Sequence, residues 1–165
     1  MSVHSINIKS ALEKLGLVLP PPPQPAAHYA PSVQRHWTLY VSGQLPMQDG
    51  ELLAQGLVGR DVDLAMATAC ARQCMLNALA VVNQAVGGNF AGKRFVGFAQ
   101  VTVYVASAPG FVDQHLVADG ATQLLSDLGF SPSARAAVGV TALPLNAPME
   151  IALVAALHNE DREQD

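Results

Sequence analysis

The stretch Ser131-Pro-Ser-Ala-Arg135-Ala-Ala-Val-Gly-Val140-Thr-Ala-Leu-Pro-Leu-Asn-Ala-Pro-Met-Glu150-Ile-Ala-Leu-Val154 decides how this chain is read. It is two apolar runs joined by a proline-bracketed loop, and each run opens beside a single charge, Arg135 in the first and Glu150 in the second. Charged side chains seldom lie in such runs unless they are paired or hold a ligand. An arginine brings a planar fork of donors that grips a carboxylate bidentately. The expectation is a pocket for a small carboxylate-bearing metabolite.

Both runs have the length of strands, and strand parity sorts their side chains. Arg135, Ala137, Gly139 and Thr141 share one face of the first, against Ala136, Val138, Val140 and Ala142. On the second, Met149–Leu157, Glu150, Ala152, Val154 and Ala156 oppose Met149, Ile151, Leu153 and Leu157. Size suggests that both charges lie on the small-residue face, with the larger side chains under helices. A simple hairpin would leave Arg135 and Glu150 on the order of 20 Å apart at ~3.3 Å per residue. Either the connection is a crossover, or the two meet across a subunit boundary.

Outward from that stretch, Ser5–Leu15 has helical spacing and stops at Gly16, and the prolines at 20–23 and 25 form a stiff strap. Trp37–Ser42 has the character of a strand, Asp49-Gly50 signals a hairpin, and Glu51–Val58 is the expected return. Asp61 or Asp63 can cap a long helix through Val86, ended by Gly87-Gly88. A strand over Arg94–Ser107 and a helix over Phe111–Leu128 follow. The pattern predicts an α+β domain with two long helices on one face of a sheet. Its expected divisions are an N-terminal helix and strap at 1–24, a single domain at 25–157 and a charged tail at 158–165.

Composition sets limits. The chain has 165 residues, 50% hydrophobic and 13% charged, enough to bury a large core and to favour self-association. Net charge is −4 and only Lys93-Arg94 are adjacent basic residues, so the basic stripe of a nucleic-acid binder is missing. Cys70 and Cys74 lie four apart in a helical pattern and are expected as buried thiols. Arg72, Gln73 and Asn77 interrupt the longest apolar stretch, which argues against a membrane span. No signal peptide is evident, and the cytoplasm is the default location. His115 and Asp119, one turn apart, are too few to argue for a metal.

Tyr29, Ser42-Gly43-Gln44-Leu45-Pro46, Arg135 and Glu150 resemble the YjgF/RidA family, as does the run from Ala134 to Pro144. Its members are reactive-intermediate imine deaminases, earlier labelled L-PSP endoribonuclease or translation inhibitor. The resemblance covers roughly 25–157, and the N-terminal extension looks like a distinct branch. It implies a chorismate-mutase-like fold assembled as a homotrimer with clefts between subunits. It further implies that Arg135 clamps the carboxylate of a 2-imino or 2-enamino acid and that Glu150 positions water. Backbone at Gly43 and Ala137 would help hold the ligand, and Tyr29 would line the cleft. The products would be a 2-keto acid and ammonia, with no cofactor. Two departures matter: Ala136-Ala137 stand where family deaminases often carry Ser-Cys, and His115 stands where an asparagine is common. They keep a second expectation open, a non-catalytic metabolite binder using the same cleft. The endoribonuclease label is the third, and the acidic balance opposes it.

Overall fold

In the computed structural model, residues 7–22, 28–88, 90 and 95–158 are described. Pro23 and Pro25 of the proline strap, Lys93-Arg94 and most of the charged tail lie outside the described residues. A short helix α1 (Ile8–Lys14) is capped by the Asn7 side chain. Strands β1 (Ser32–Arg35) and β2 (Thr38–Gln44) form the first hairpin, and β3 (Met47–Gln48) and β4 (Glu51–Leu52) a small second one. Then come α2 (Leu64–Ala85), β5 (Phe95–Ala106), α3 (Gln114–Asp127), β6 (Ala134–Val140) and β7 (Met149–Leu157). The main sheet runs β1-β2-β7-β5-β6, with β6 parallel to β5 and every other neighbour antiparallel. The architecture is α+β, with a mixed sheet and three helices.

Local chemistry explains the elements. Asp63 caps α2, its carboxylate accepting from the Met66 N–H at 2.8 Å. Past the C-cap Val86, Gly87 and Gly88 take left-handed backbone and end the helix. Asp49 and Gly50, both with positive φ, make the tight β3–β4 turn. The return is shorter than expected: Glu51–Leu52 pairs, and Val58 makes only isolated bridges to Val62 and Ser107. β1 has no counterpart in the sequence reading, because its four residues are mostly exposed and its turn uses His36 at φ 49 rather than a glycine.

The core lies between α2, α3 and one face of the sheet. Leu39 and Val41 of β2, Val101, Val103 and Val105 of β5, and Met149, Ile151 and Leu153 of β7 all point there. Ile8 and Leu12 of α1 enter the same core. Helix α2 is long and apolar enough to cross a membrane, but 67% of its apolar window is buried inside the fold, so that apolarity serves the core. Cys70 and Cys74 are buried free thiols on α2; burial pushes Cys70 up to about 11 and raises Cys74 well above its ordinary value.

Of the two connections left open by the sequence, β6 to β7 is a crossover, since β5 lies between them. One sequence expectation is corrected: Arg135 does not share a face with Glu150. Arg135 lies beside Val101, a core residue, so it points to the helix side; Glu150 lies beside Tyr104, on the open side. The size argument failed because the close approach of α3 demands small residues on β6. A Cβ on Gly139 would stand 2.8 Å from Gln114 Nε2, while Val138 turns to the open face. For β7 the size argument held, with Met149, Ile151, Leu153 and Leu157 all buried.

Candidate functional site

The segment Ser42–Pro46 organises one half of the site. Ser42 fastens the incoming chain: its hydroxyl donates to the Ala30 carbonyl at 2.7 Å, and its N–H to Pro31 at 2.9 Å. That holds Tyr29 beside the end of β2, with half of its surface exposed. A register shift between Val41 and Gln44 turns Gln44 inward, where it is buried and its amide donates to the Ser42 carbonyl. From α2, buried Asn77 donates to the carbonyls of Leu45 and Met47, both at 2.9 Å. Gln73 donates to Asn77 Oδ1 at 3.0 Å. The polar stripe of α2 thus ties down the loop after β2.

Gly43 has a specific reason to be glycine. Its φ lies outside the left-handed region, so no turn requires it. A Cβ there would collide with the Glu150 carboxylate, which lies directly against the glycine backbone. Glu150 is half-buried on the open face of β7, and among the described residues no hydrogen bond or ion pair engages its carboxylate. Desolvation raises its pKa above the ordinary 4.5. Penalising the ionised form in this way makes the carboxyl a better holder of a proton than an exposed glutamate.

Next to this group opens a cavity of about 640 Å³, lined by Tyr29, Gly43, Gln44, Leu45, Met47 and Leu145 among others, with Pro20–Pro22 along it. Glu150 abuts Gly43 but is not part of the cavity wall.

Arg135 occupies a separate place. On edge strand β6, its Nη1 donates to Asp119 Oδ1 at 2.6 Å and to Thr122 Oγ1 at 3.0 Å, both on α3. This leaves the Nε and Nη2 edge of the fork without a partner among the described residues. A smaller cleft of about 260 Å³ lies beside it, lined by Thr122, Ser126, Phe130 and Ser133 among others. Ala137, two residues along, packs partly against the core below α3. His115, exposed in the first turn of α3, lines neither cavity.

The fold therefore gathers Tyr29, Gly43 and Glu150 around β2 and β7 and leaves Arg135 and Ala137 on edge strand β6. Through the register, Arg135 lies level with Leu153, two strands and three residues from Glu150, so their Cα atoms are about 14 Å apart. Their side chains point to opposite faces. The sequence reading missed Asp119 and Thr122 as partners of Arg135; acid and hydroxyl three apart on one helix face was the available signal. It also used Gln73 and Asn77 only to argue against a membrane span, not as the anchor of the loop after β2. Among the described residues no cluster of three or more His, Cys, Asp or Glu could hold a metal.

Comparison with known proteins adds the family. Residues 21–157 match the model of the family described as endoribonuclease L-PSP. Protein TCP17 of Trypanosoma cruzi is 36% identical over 160 residues, 95% of this chain and 98% of its own length. The crystal structure of Atu1372, a protein of unknown function from Agrobacterium tumefaciens, superposes with a TM-score of 0.82 at 43% identity, covering 92% of this chain and 94% of that one. The YjgF gene product of E. coli superposes with a TM-score of 0.60 at 25% identity, covering 82% and 92%. TCP17 and Atu1372 match over most of the chain, so the resemblance to them takes in much of the N-terminal arm. This chain belongs to the endoribonuclease L-PSP family, the YjgF/RidA proteins.

Proposed function

We propose that the protein hydrolyses reactive 2-imino and 2-enamino acids to 2-keto acids and ammonia, in clefts formed between subunits of a homotrimer. The observation that carries this reading is the Glu150 carboxylate. It is half-buried, free of side-chain partners among the described residues, and given room by the missing side chain of Gly43.

In this reading the carboxylate of the substrate lies on the open Nε and Nη2 edge of Arg135, while Asp119 and Thr122 hold Nη1. Backbone at Gly43 and Ala137 and the ring of Tyr29 complete the binding; His115, which lines neither cavity, has no part in it. Water adds to the protonated imine carbon, and the carbon–nitrogen π pair moves to nitrogen. Glu150 takes a proton from the added oxygen and delivers it to the amine. The carbon–nitrogen bond then breaks, ammonia leaves, and the hydroxyl proton is lost as the keto group forms. The imine carbon is already electrophilic, so orientation and proton management suffice.

The 14 Å separation on opposite faces argues that Arg135 and Glu150 serve one substrate only when they come from different chains. The open sheet face supports such an assembly: Tyr40, 51% exposed beside Val154, and Val138, 39% exposed beside Tyr104, are apolar groups that a partner would cover. The ribonuclease reading has less support. The chain carries a net charge of −4, and among the described residues Arg60 and Arg72 each pair with an aspartate rather than joining a basic stripe.

The test supplies freshly generated 2-iminopropanoate and follows keto-acid release. The wild type accelerates release over spontaneous hydrolysis, and Arg135→Ala lowers kcat/KM by at least about 100-fold. Keto-acid binding without acceleration would instead establish a metabolite-binding protein.

A further inference from the structure

The cavity beside Gly43 is far larger than a three-carbon imino acid requires. At about 640 Å³ it falls in the range of pockets that enclose drug-sized ligands. Pro20, Pro21, Pro22, Leu45, Met47 and Leu145 give it a largely apolar wall, while Tyr29 and Gly43 stand where substrate is proposed to bind.

That wall is fixed. The N-terminal arm is anchored by Ile8 and Leu12, which are buried in the main core, and Leu15, Leu17 and Leu19 pack against it. The prolines that follow have restricted backbones, so little further order is lost when a ligand lies on them. Beyond residues 23–27, Ser42 fastens Ala30 and Pro31 to β2.

Leu145 adds a second observation. Its backbone is left-handed, φ 58 and ψ 19, a conformation rare for a bulky residue. Gln55 Nε2 donates to its carbonyl at 3.1 Å, and the Gly56 N–H to the Asn146 carbonyl at 2.8 Å, holding the turn in place. The turn keeps the leucine 65% exposed although it lines the cavity. A strained, exposed apolar side chain at a cavity wall is suited to contact a ligand rather than the core.

We propose that the arm prolines and Leu145 form the side-chain pocket of the site, and that it selects 2-imino acids with large apolar side chains, of the leucine or phenylalanine kind. The proposal rests on the deaminase reading above for the identity of the carboxylate end. Each methylene that leaves water is worth about fourfold in affinity, so three added carbons give on the order of 50-fold if fully buried.

The test titrates the full-length protein in its native assembly with the keto-acid products pyruvate, 2-oxobutanoate, 4-methyl-2-oxopentanoate and phenylpyruvate. Turnover of the matching imines is measured in parallel. The proposal expects 4-methyl-2-oxopentanoate to bind at least about tenfold tighter than pyruvate. It further expects the ratio to fall below about threefold both in a Pro20→Ser/Pro21→Ser/Pro22→Ser variant and in Leu145→Gly. Leu145→Gly relieves the strained backbone, so a folded and equally stable variant that loses selectivity separates ligand contact from structural support. A flat series in the wild type, or a gradient that survives both variants, overturns the proposal. A gradient without turnover keeps it and removes the deaminase reading. Turnover with a flat series does the reverse.

Discussion

Gly43 and Glu150 are a matched pair: the absence of one side chain makes room for the other. Gly43→Ala therefore acts on Glu150. The Cβ meets the movable end of a side chain rather than backbone, so the carboxylate swings aside and the fold survives. The expected result is a loss of roughly 10- to 100-fold in kcat, with stability changed by less than about 1 kcal/mol, checked by steady-state kinetics beside a thermal melt. Glu150→Gln separates the roles differently. Burial raises the folded pKa of Glu150 above 4.5, so the ionised form is penalised. The stability it contributes is fully present below its unfolded pKa and is lost as pH rises through the folded one. The amide escapes that loss. Glu150→Gln should melt at the same or a higher temperature than wild type at pH 7, with the advantage shrinking towards pH 4.5 and below, while activity falls by roughly 100-fold or more. The motif from Ser42 to Pro46 and the two charges were visible in the sequence. The reason for Gly43 was not, because it depends on a residue 107 positions away across the β2–β7 pairing.

At the scale of elements, α2 and α3 meet where Gly120 faces Thr68. A Cβ on Gly120 would run into the Thr68 carbonyl, which is helix backbone and cannot yield. Gly120→Ala should destabilise the protein by roughly 1–3 kcal/mol, read from the denaturant midpoint, because the helices must separate. Periodicity and caps made the long elements legible: Asp63, the Gly87-Gly88 stop, the alternation of β5 and the full span of β7 all appear as expected. The faces of β6 did not follow from size. A helix packed closely on an edge strand reverses the usual rule, placing Ala137 and Gly139 inside and Val138 outside. Nor could β1 be found, since its exposed side chains carry no apolar alternation.

For the whole molecule, the strand order explains why no single chain completes the proposed site. With β5 between their strands and opposite faces presented, Arg135 and Glu150 cannot reach one small substrate. The sequence showed that a plain hairpin could not bring the two residues together within one chain, and left two alternatives. The fold has the crossover, and the separation persists, so the proposed site still requires a second chain. The most direct test mixes two variants that are each inactive, Arg135→Ala and Glu150→Gln, after dissociation and reassembly at equal amounts. If every site takes its arginine from one chain and its glutamate from the next, about a quarter of the sites in random trimers are intact. The account predicts recovery of roughly a quarter of wild-type activity in assemblies about three times the 17.3 kDa chain mass. Mixed assemblies no more active than the separate variants would contradict it.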